Sequence, residues 1–452
     1  MSDDNYHITY SASNSYCVKQ DVLNSMAIDA YIYGYPLVLM DVTKKIMLAS
    51  ESQLNQFLNE RAFPDPQYTT IIRPNVDTLY SMAWLDLSRE PIVLHVPYIH
   101  NKYYLMEFLD AWSNVFASIG ARTTGTGEGV YVITGPHWNG MIPRGLIRIE
   151  APTNTVWVIG RTQTNGPNDY PIVHTMQDQY ALFPLSSWGN GGGTQNKIEY
   201  QKKQMGLNPV DQITCMNAAA FFQTMTKAMY MNPSWIENPE MNRTLAALDL
   251  VPSRTFDFCN LSSSVVHALE QAVDVGPRLI KAEAAKKYTE ENINGWTLLI
   301  KGMGFYGVDY MQRAIIAMTG IGANIPQDSV YAPAFLDANE RPLAGYNNYI
   351  IRFNKGQSPP ANAFWSITVY NDQGYLVKNP MNRYAISPHL GKLNYNVDGS
   401  LTIFIGNASP KKDYIANWLP APENSFNLIL RMYWPKHIVL NGLWTPPAII
   451  CL

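Results

Sequence analysis

The chain has 452 residues, enough for about three domain-sized units with substantial cores. Its 33 Lys+Arg and 36 Asp+Glu give a formal net charge of −3, which excludes the basic surface of a nucleic-acid binder. No stretch of 18 uninterrupted apolar residues exists, so no transmembrane span is expected. Charged residues make up 15% against the roughly 25% of ordinary domains, while aromatics reach 12% with 28 Tyr and 11 Trp. Aromatics at this density either fill sandwich cores or line a pocket for an apolar or sugar-like ligand. Cys17, Cys215, Cys259 and Cys451 show no C-x-x-C spacing and no His partner, and read as free or buried thiols. The opening M-S-D-D-N-Y lacks the apolar core of a secretory signal, so as numbered the chain reads as soluble and cytoplasmic.

Residues 21–50 carry Leu23, Ala27, Ala30, Tyr31, Leu37, Val38 and Met40 near helical spacing, with Pro36 predicted to kink or split the helix. Tyr31, Tyr33 and Tyr35 on it read as core or as pocket lining. A polar connector leads to R-P-N-V-D-T-L-Y-S-M-A-W-L-D-L at 73–87. There Pro74 is expected to hold Arg73 extended and to stiffen the entry into a strand. Asn75 and Asp77 read as an Asx-turn, or Asp77 reads as an acid, base or cation ligand at the strand mouth.

Strands are predicted at 78–87, 91–97, 102–109, 113–119, 130–134, 145–150 and 155–161, separated by short turns as in an antiparallel sandwich or barrel. Asp110, Arg122 and Arg161 fall at strand ends, where an Asp and an Arg on one rim either hold a carboxylate or phosphate or pair with each other. Residues 162–210, with G-N-G-G-G at 189–193, read as a covering loop and linker. Helices are predicted at 211–231, 240–250, 262–288 and 294–319. G-M-G-F-Y-G at 302–307 reads as a Gly-containing helix packed closely on a neighbour, because Pro326 argues against the second strand that a dinucleotide site needs. Strand patterns return over 325–440 with hairpin turns at 337–343, 370–375 and 396–400, and the apolar tail reads as an extended segment packing back.

The fold class is therefore α+β: two antiparallel β-sandwich or barrel domains around a helical middle. The divisions are 1–72 (helical lead-in), 73–190 (first β domain), 191–322 (linker and helices) and 323–452 (second β domain and tail). H-E-x-x-H, G-x-S-x-G and the P-loop are absent, and His95 and His137 stand alone. What remains is a carboxylate-centred set. Asp77, Asp110 and Tyr80 are the catalytic candidates, and Asn75, Thr78, Tyr104, Arg122, Trp138 and Arg161 the binding candidates around them. Trp365, Asn382, Arg383 and Trp418 are placed to close the pocket from the second domain. Oxygen-rich sets of this kind suit Ca²⁺ or Mg²⁺, and two close carboxylates would raise one pKa for acid–base work.

The string N-V-D-T-L-Y-S-M-A-W-L-D-L-S-R-E-P at 75–91, with Y-Y-L-M-E-F-L-D at 103–110, I-G-A-R-T-T-G-T-G at 119–127 and G-P-H-W-N-G at 135–140, resembles the DUF1254 family. P-P-A-N-A-F-W-S-I-T-V-Y at 359–370, N-P-M-N-R-Y at 379–384, N-W-L-P-A-P at 417–422 and L-R-M-Y-W-P at 430–435 resemble its companion, DUF1214. The resemblance covers most of 25–190 and 320–450. It implies two β domains with helices between them and brings no established activity; bacterial relatives often look exported. Two functions are carried forward: an enzyme using carboxylate acid–base or cation-assisted, hydrolase-like chemistry on a small molecule, or a non-catalytic ligand-binding or assembly protein. A tyrosine-rich, low-charge surface also suits a homo-oligomer of unspecified size.

Overall fold

A computed structural model describes residues 12–50, 53–68, 72–189, 198–199 and 208–452, without the side chains of 12–18, 50, 198 and 199. The side chain of Cys17 and most of the Gly-rich 189–193 therefore lie outside the described residues. Cys215, Cys259 and Cys451 are free thiols. No helix among the described residues is long and apolar enough to cross a membrane.

The chain opens with α1 (Ala12–Ser50), one continuous helix with Pro36 inside it. The expected split does not occur. Tyr31, Tyr35, Leu37, Val38 and Leu39 are all buried around the proline, and this tertiary burial outweighs the roughly 3 kcal/mol that an interior proline costs.

The first β domain follows, with β1 (Leu58–Asn59), β2 (Thr78–Asp86), β3 (Ile92–Val96), β4 (Tyr104–Leu109), β5 (Val115–Gly120), β6 (Gly129–Thr134), β7 (Ile147–Glu150), β8 (Thr155–Gln163), α2 (Tyr170–Gln177), β9 (Ala181–Pro184) and β10 (Ile198–Glu199). One sheet has the order β10-β1-β2-β8-β4-β5 and the other β7-β6-β3-β9. The segment 162–210, expected to be loop, thus contributes α2 and β9, whose Leu182 and Met176 enter the sandwich core. Such short elements carry too few residues to show a period.

The helical middle contains α3 (Pro209–Thr214), α4 (Ala218–Met231), α5 (Pro239–Ala247), α6 (Ser263–Glu290) and α7 (Tyr310–Gly320). The predicted helix over 211–231 is two helices because Asn217 caps α4, accepting from the Ala220 N–H. These helices share one core with α1. Tyr31 stacks on Phe221 at 4.3 Å, and Gly276 of α6 leaves room for its ring, since a Cβ there would sit 2.2 Å from Tyr31 Cδ1.

The second β domain is built from β11 (Asn292–Ile293), β12 (Trp296–Thr297), β13 (Ser329–Ala334), β14 (Tyr349–Phe353), β15 (Ala361–Asn371), β16 (Ala385–Ile386), β17 (Leu401–Gly406), β18 (Trp418–Pro420), β19 (Phe426–Pro435), a turn of helix α8 (His437–Leu440) and β20 (Ile450–Cys451). The sheets run β11-β12-β13-β19-β15-β16 and β18-β17-β14-β20. The tail does pack back, with β20 antiparallel to β14. The predicted helix over 294–319 is wrong in its first half: a hairpin occupies 292–297 and joins the second domain's sheet, and the helix starts only at Tyr310. Gly302, Gly304 and Gly307 have φ of 63°, 76° and 57°, so G-M-G-F-Y-G is a run of turns. Both domains are sandwiches of sheets, with no closed barrel among the described residues.

Candidate functional site

The larger sheet of each sandwich is buried on both faces, and the site lies where their outer faces meet. In β15, Trp365, Ile367 and Val369 enter the second core, while Ser366, Thr368 and Tyr370 alternate to the other side. In β19, Leu428, Leu430 and Met432 point inward, leaving Ile429, Arg431 and Tyr433 outside. The first domain repeats the device: Tyr104, Met106 and Phe108 of β4 fill its core. Glu107 of β4, Arg161 of β8 and Tyr80 of β2 share the opposite face, where Tyr80 is the register partner of Arg161. Farther along that face, stacked Trp84 and Trp157 pack against Met40 of α1.

Residues 73–77 join the two faces. Asn75 Oδ1 accepts from the N–H groups of Asp77 (2.6 Å) and Thr78 (3.1 Å), which is the expected Asx-turn, while its Nδ2 donates to Tyr433 Oη at 2.5 Å. Asp77 is fully buried, and its Oδ2 accepts from Ser366 Oγ at 2.6 Å. Tyr370 Oη donates to Pro74 O at 2.7 Å, and Arg431 Nη2 donates to Arg73 O at 3.0 Å. Arg73 is not extended as Pro74 alone would dictate; its φ is 55°. Its N–H donates to Gly374 O (2.7 Å) while its carbonyl receives Arg431, and these bonds hold a conformation that costs about 1–3 kcal/mol.

His389 sits beside Asp77, its Nε2 3.7 Å from Asp77 Oδ1, with its ring 4.5 Å from that of Phe364. Ser387 Oγ donates to Trp365 O (2.6 Å), so it accepts from His389 Nδ1 (2.5 Å), and the neutral ring turns a bare Nε2 toward the carboxylate. Burial lowers the His389 pKa against the pull of Asp77, which keeps it neutral. The Ser387 proton is committed to a carbonyl, so this Ser-His-Asp grouping is not a nucleophilic triad.

A cavity of about 190 Å³ lies between the two faces and the end of α7, and its polar lining comprises Arg73, Asn75, Tyr80, Arg161, Tyr288, Thr319, Tyr331 and Arg431. Arg161 donates to Glu107 Oε2 (2.9 Å) and Gly322 O (3.1 Å), and its guanidinium lies 5.3 Å from the centre of the Tyr80 ring. Arg431 donates to Thr368 Oγ1 (2.9 Å) and Tyr370 Oη (2.8 Å). Burial pushes the Glu107 carboxyl up to about 7, with Arg161 opposing the rise. Glu107 was not among the sequence candidates; its one signal was an acid in the middle of the apolar Y-L-M-E-F-L. A carboxyl whose folded pKa exceeds its unfolded value of 4.5 stabilises the fold fully below that value, and the contribution is lost as pH rises through about 7. In Glu107→Gln this component of the stability loss between pH 4.5 and 7 disappears, as urea unfolding across that range will show.

The other candidates do not converge here. Asp110 closes a turn on the helical side, accepting from the N–H groups of Trp112 and Asn114 and from Trp235 Nε1 (2.6 Å); burial raises its pKa. Arg122 pairs with Asp328, which enters β13, through contacts of 2.6 and 2.9 Å. Thr78 is buried beside the Asx-turn, Tyr104 lies in the first core, and Trp138 stands under Arg148 near the smaller sheet. Trp365 belongs to the second core, and Trp418 Nε1 donates to Gly406 O. Arg383 donates to the carbonyls of Ile415 and Trp418, and with Asn382 borders a separate cleft of about 750 Å³. His95 bridges Gln179 O and Glu128 at the surface, and His137 is an exposed turn residue with φ 61°. Among the described residues no three His, Cys, Asp or Glu side chains are grouped to hold a metal ion. The two acids expected to form a Ca²⁺ or Mg²⁺ site are in separate places.

The whole architecture is similar to that of the VPA0106 protein from Vibrio parahaemolyticus, with a TM-score of 0.70 at 20% identity over 95% of this chain and 100% of that one. An uncharacterized protein from Burkholderia cenocepacia aligns at TM-score 0.44 and 13% identity over 97% and 95% of the two chains. No curated protein matches the sequence. Residues 54–184 match the family described as Protein of unknown function (DUF1254), and residues 328–437 match Protein of unknown function (DUF1214). The first match covers β1 through β9 and the second β13 through β19, the segments that supply most of the two facing sheets. The chain is a DUF1254/DUF1214 domain-containing protein.

Proposed function

We propose that this protein is an enzyme acting on a small molecule in the junction cavity by proton transfer, with Tyr80 as the residue that touches substrate. The observation that carries this reading is the convergence of three parts of the chain on one small cavity bearing a tyrosine and two buried guanidinium groups. Such a cavity fixes donors in advance, which is what stabilises developing negative charge. Tyr80 gives its phenolic proton to the substrate and takes one back before product leaves, Arg161 above its ring stabilises the phenolate in between, and Glu107 balances and positions Arg161. Asp77 takes a positioning role: it holds Ser366 and so fixes the second domain against the first.

The test is turnover in a small-molecule screen using wild-type protein and Tyr80→Phe. The expected result is activity lost by about 100-fold or more in the variant, with an unchanged unfolding midpoint. Equal turnover in both proteins would remove Tyr80 from the reaction. Ligand binding without turnover of any hit would favour a binding protein over an enzyme.

A further inference from the structure

We infer that the junction cavity selects a small monocarboxylate with a compact apolar body, of about the size of benzoate. The inference rests on reading the cavity as a small-molecule site, and adds the ligand class. Its first support is charge. Arg73, Arg161 and Arg431 all line the cavity, yet only Arg161 has an ion-pair partner among the described residues, Glu107. Arg431 is 4% exposed, and its hydrogen bonds all end on neutral oxygens: Thr368 Oγ1, Tyr370 Oη and Arg73 O. Asp77 acts on this guanidinium through space without bonding it; a buried guanidinium without a bonded carboxylate remains costly, and an anion in the cavity lowers that cost. The Nε groups of Arg73 and Arg161 are likewise buried and have no acceptor. A planar carboxylate matches guanidinium geometry and can bridge two such groups.

The second support is size and lining. An apolar cavity of about 150 Å³ holds one benzene molecule, and this one is about 190 Å³. Its apolar walls include Met303, Ile316, Ile321 and Ile429, which suit an apolar ring or branched chain on a ligand whose carboxylate faces the arginines.

Isothermal titration calorimetry of the full chain with benzoate and with its neutral isostere benzamide tests the inference. Benzoate is expected to bind at least about tenfold more tightly, the increment of one charge-assisted contact, and Arg431→Gln is expected to bring the two ligands within about twofold. Should Arg431→Gln fail to fold, Gly320→Phe serves instead. Gly320 lies exposed at the cavity edge where a Cβ meets no atom within 4 Å, so a ring there narrows the mouth and weakens benzoate binding while leaving the arginines in place. Equal affinity for benzoate and benzamide would overturn the anion inference and leave the small-molecule reading standing. Benzoate binding unchanged in Gly320→Phe would place the ligand elsewhere and overturn the assignment. Absence of binding by either ligand at millimolar concentration would also overturn it, whereas the turnover test of Tyr80 judges the enzyme reading by itself.

Discussion

Replacing Arg161 by methionine is expected to lower stability by roughly 3–5 kcal/mol, the cost of stripping one partner from a buried ion pair. Glu107 would then sit at zero exposure with its Oε2 contact gone, and Gly322 O would lose its donor as well. The loss should be smaller at pH 5 than at pH 8, because Glu107 escapes the penalty by taking up a proton. Adding Glu107→Leu to Arg161→Met should recover most of the stability, since an apolar replacement of both partners can be neutral. Urea unfolding of the two variants at both pH values measures this. A single mutant within 1 kcal/mol of wild type would mean that the pair is not a buried unit.

Asp77→Ala should cost roughly 2–4 kcal/mol, because Ser366 Oγ loses a charged acceptor and Arg431 loses a compensating charge. Asp77→Asn keeps an oxygen for Ser366 and should cost about half as much. Hydrogen exchange separates this from a catalytic role. If Asp77 joins the domains, amide protection should fall across β15 in both variants, in proportion to the stability lost. If Asp77→Asn instead abolishes turnover with protection unchanged, Asp77 acts on substrate and its assignment as a positioning residue is wrong.

Much of the fold was legible because one face of each strand obeys period two: T-L-Y-S-M-A-W-L-D was read as a strand over 78–87 and spans 78–86. Pro36 misled because propensity is local, whereas the burial that overrides it comes from helices about 200 residues farther on. The site was harder. Asp77 finds its hydroxyl partner 289 residues away and Arg122 its acid 206 residues away, so spacing within 73–161 could not show either pairing. Asp110 and Asp77 look alike as strand-end acids. They separate only once Asp110 is seen to satisfy the N–H groups of its own turn. The missed signal was subtler: S-x-T-x-Y in β15 and R-x-Y in β19 put polar side chains at every second place among apolar neighbours in the middle of these strands. That pattern marks a second buried face, where a solvent-facing strand would show exposed charge.

The face built from Ser366, Thr368, Tyr370, Arg431 and Tyr433 also bears on how such genes are inherited. Ser366, Tyr370, Arg431 and Tyr433 bond to residues 73–77 and Thr368 to Arg431, so the DUF1214 segment expressed by itself would open to water a face that is buried here, Ile429 and the Tyr433 ring included. The DUF1254 segment by itself would lose what fixes its entry loop. The two segments are separate as stretches of sequence, but each covers a buried polar face of the other. Recombination that traded one segment alone would be purged unless the five residues at 73–77 travelled with a compatible sheet.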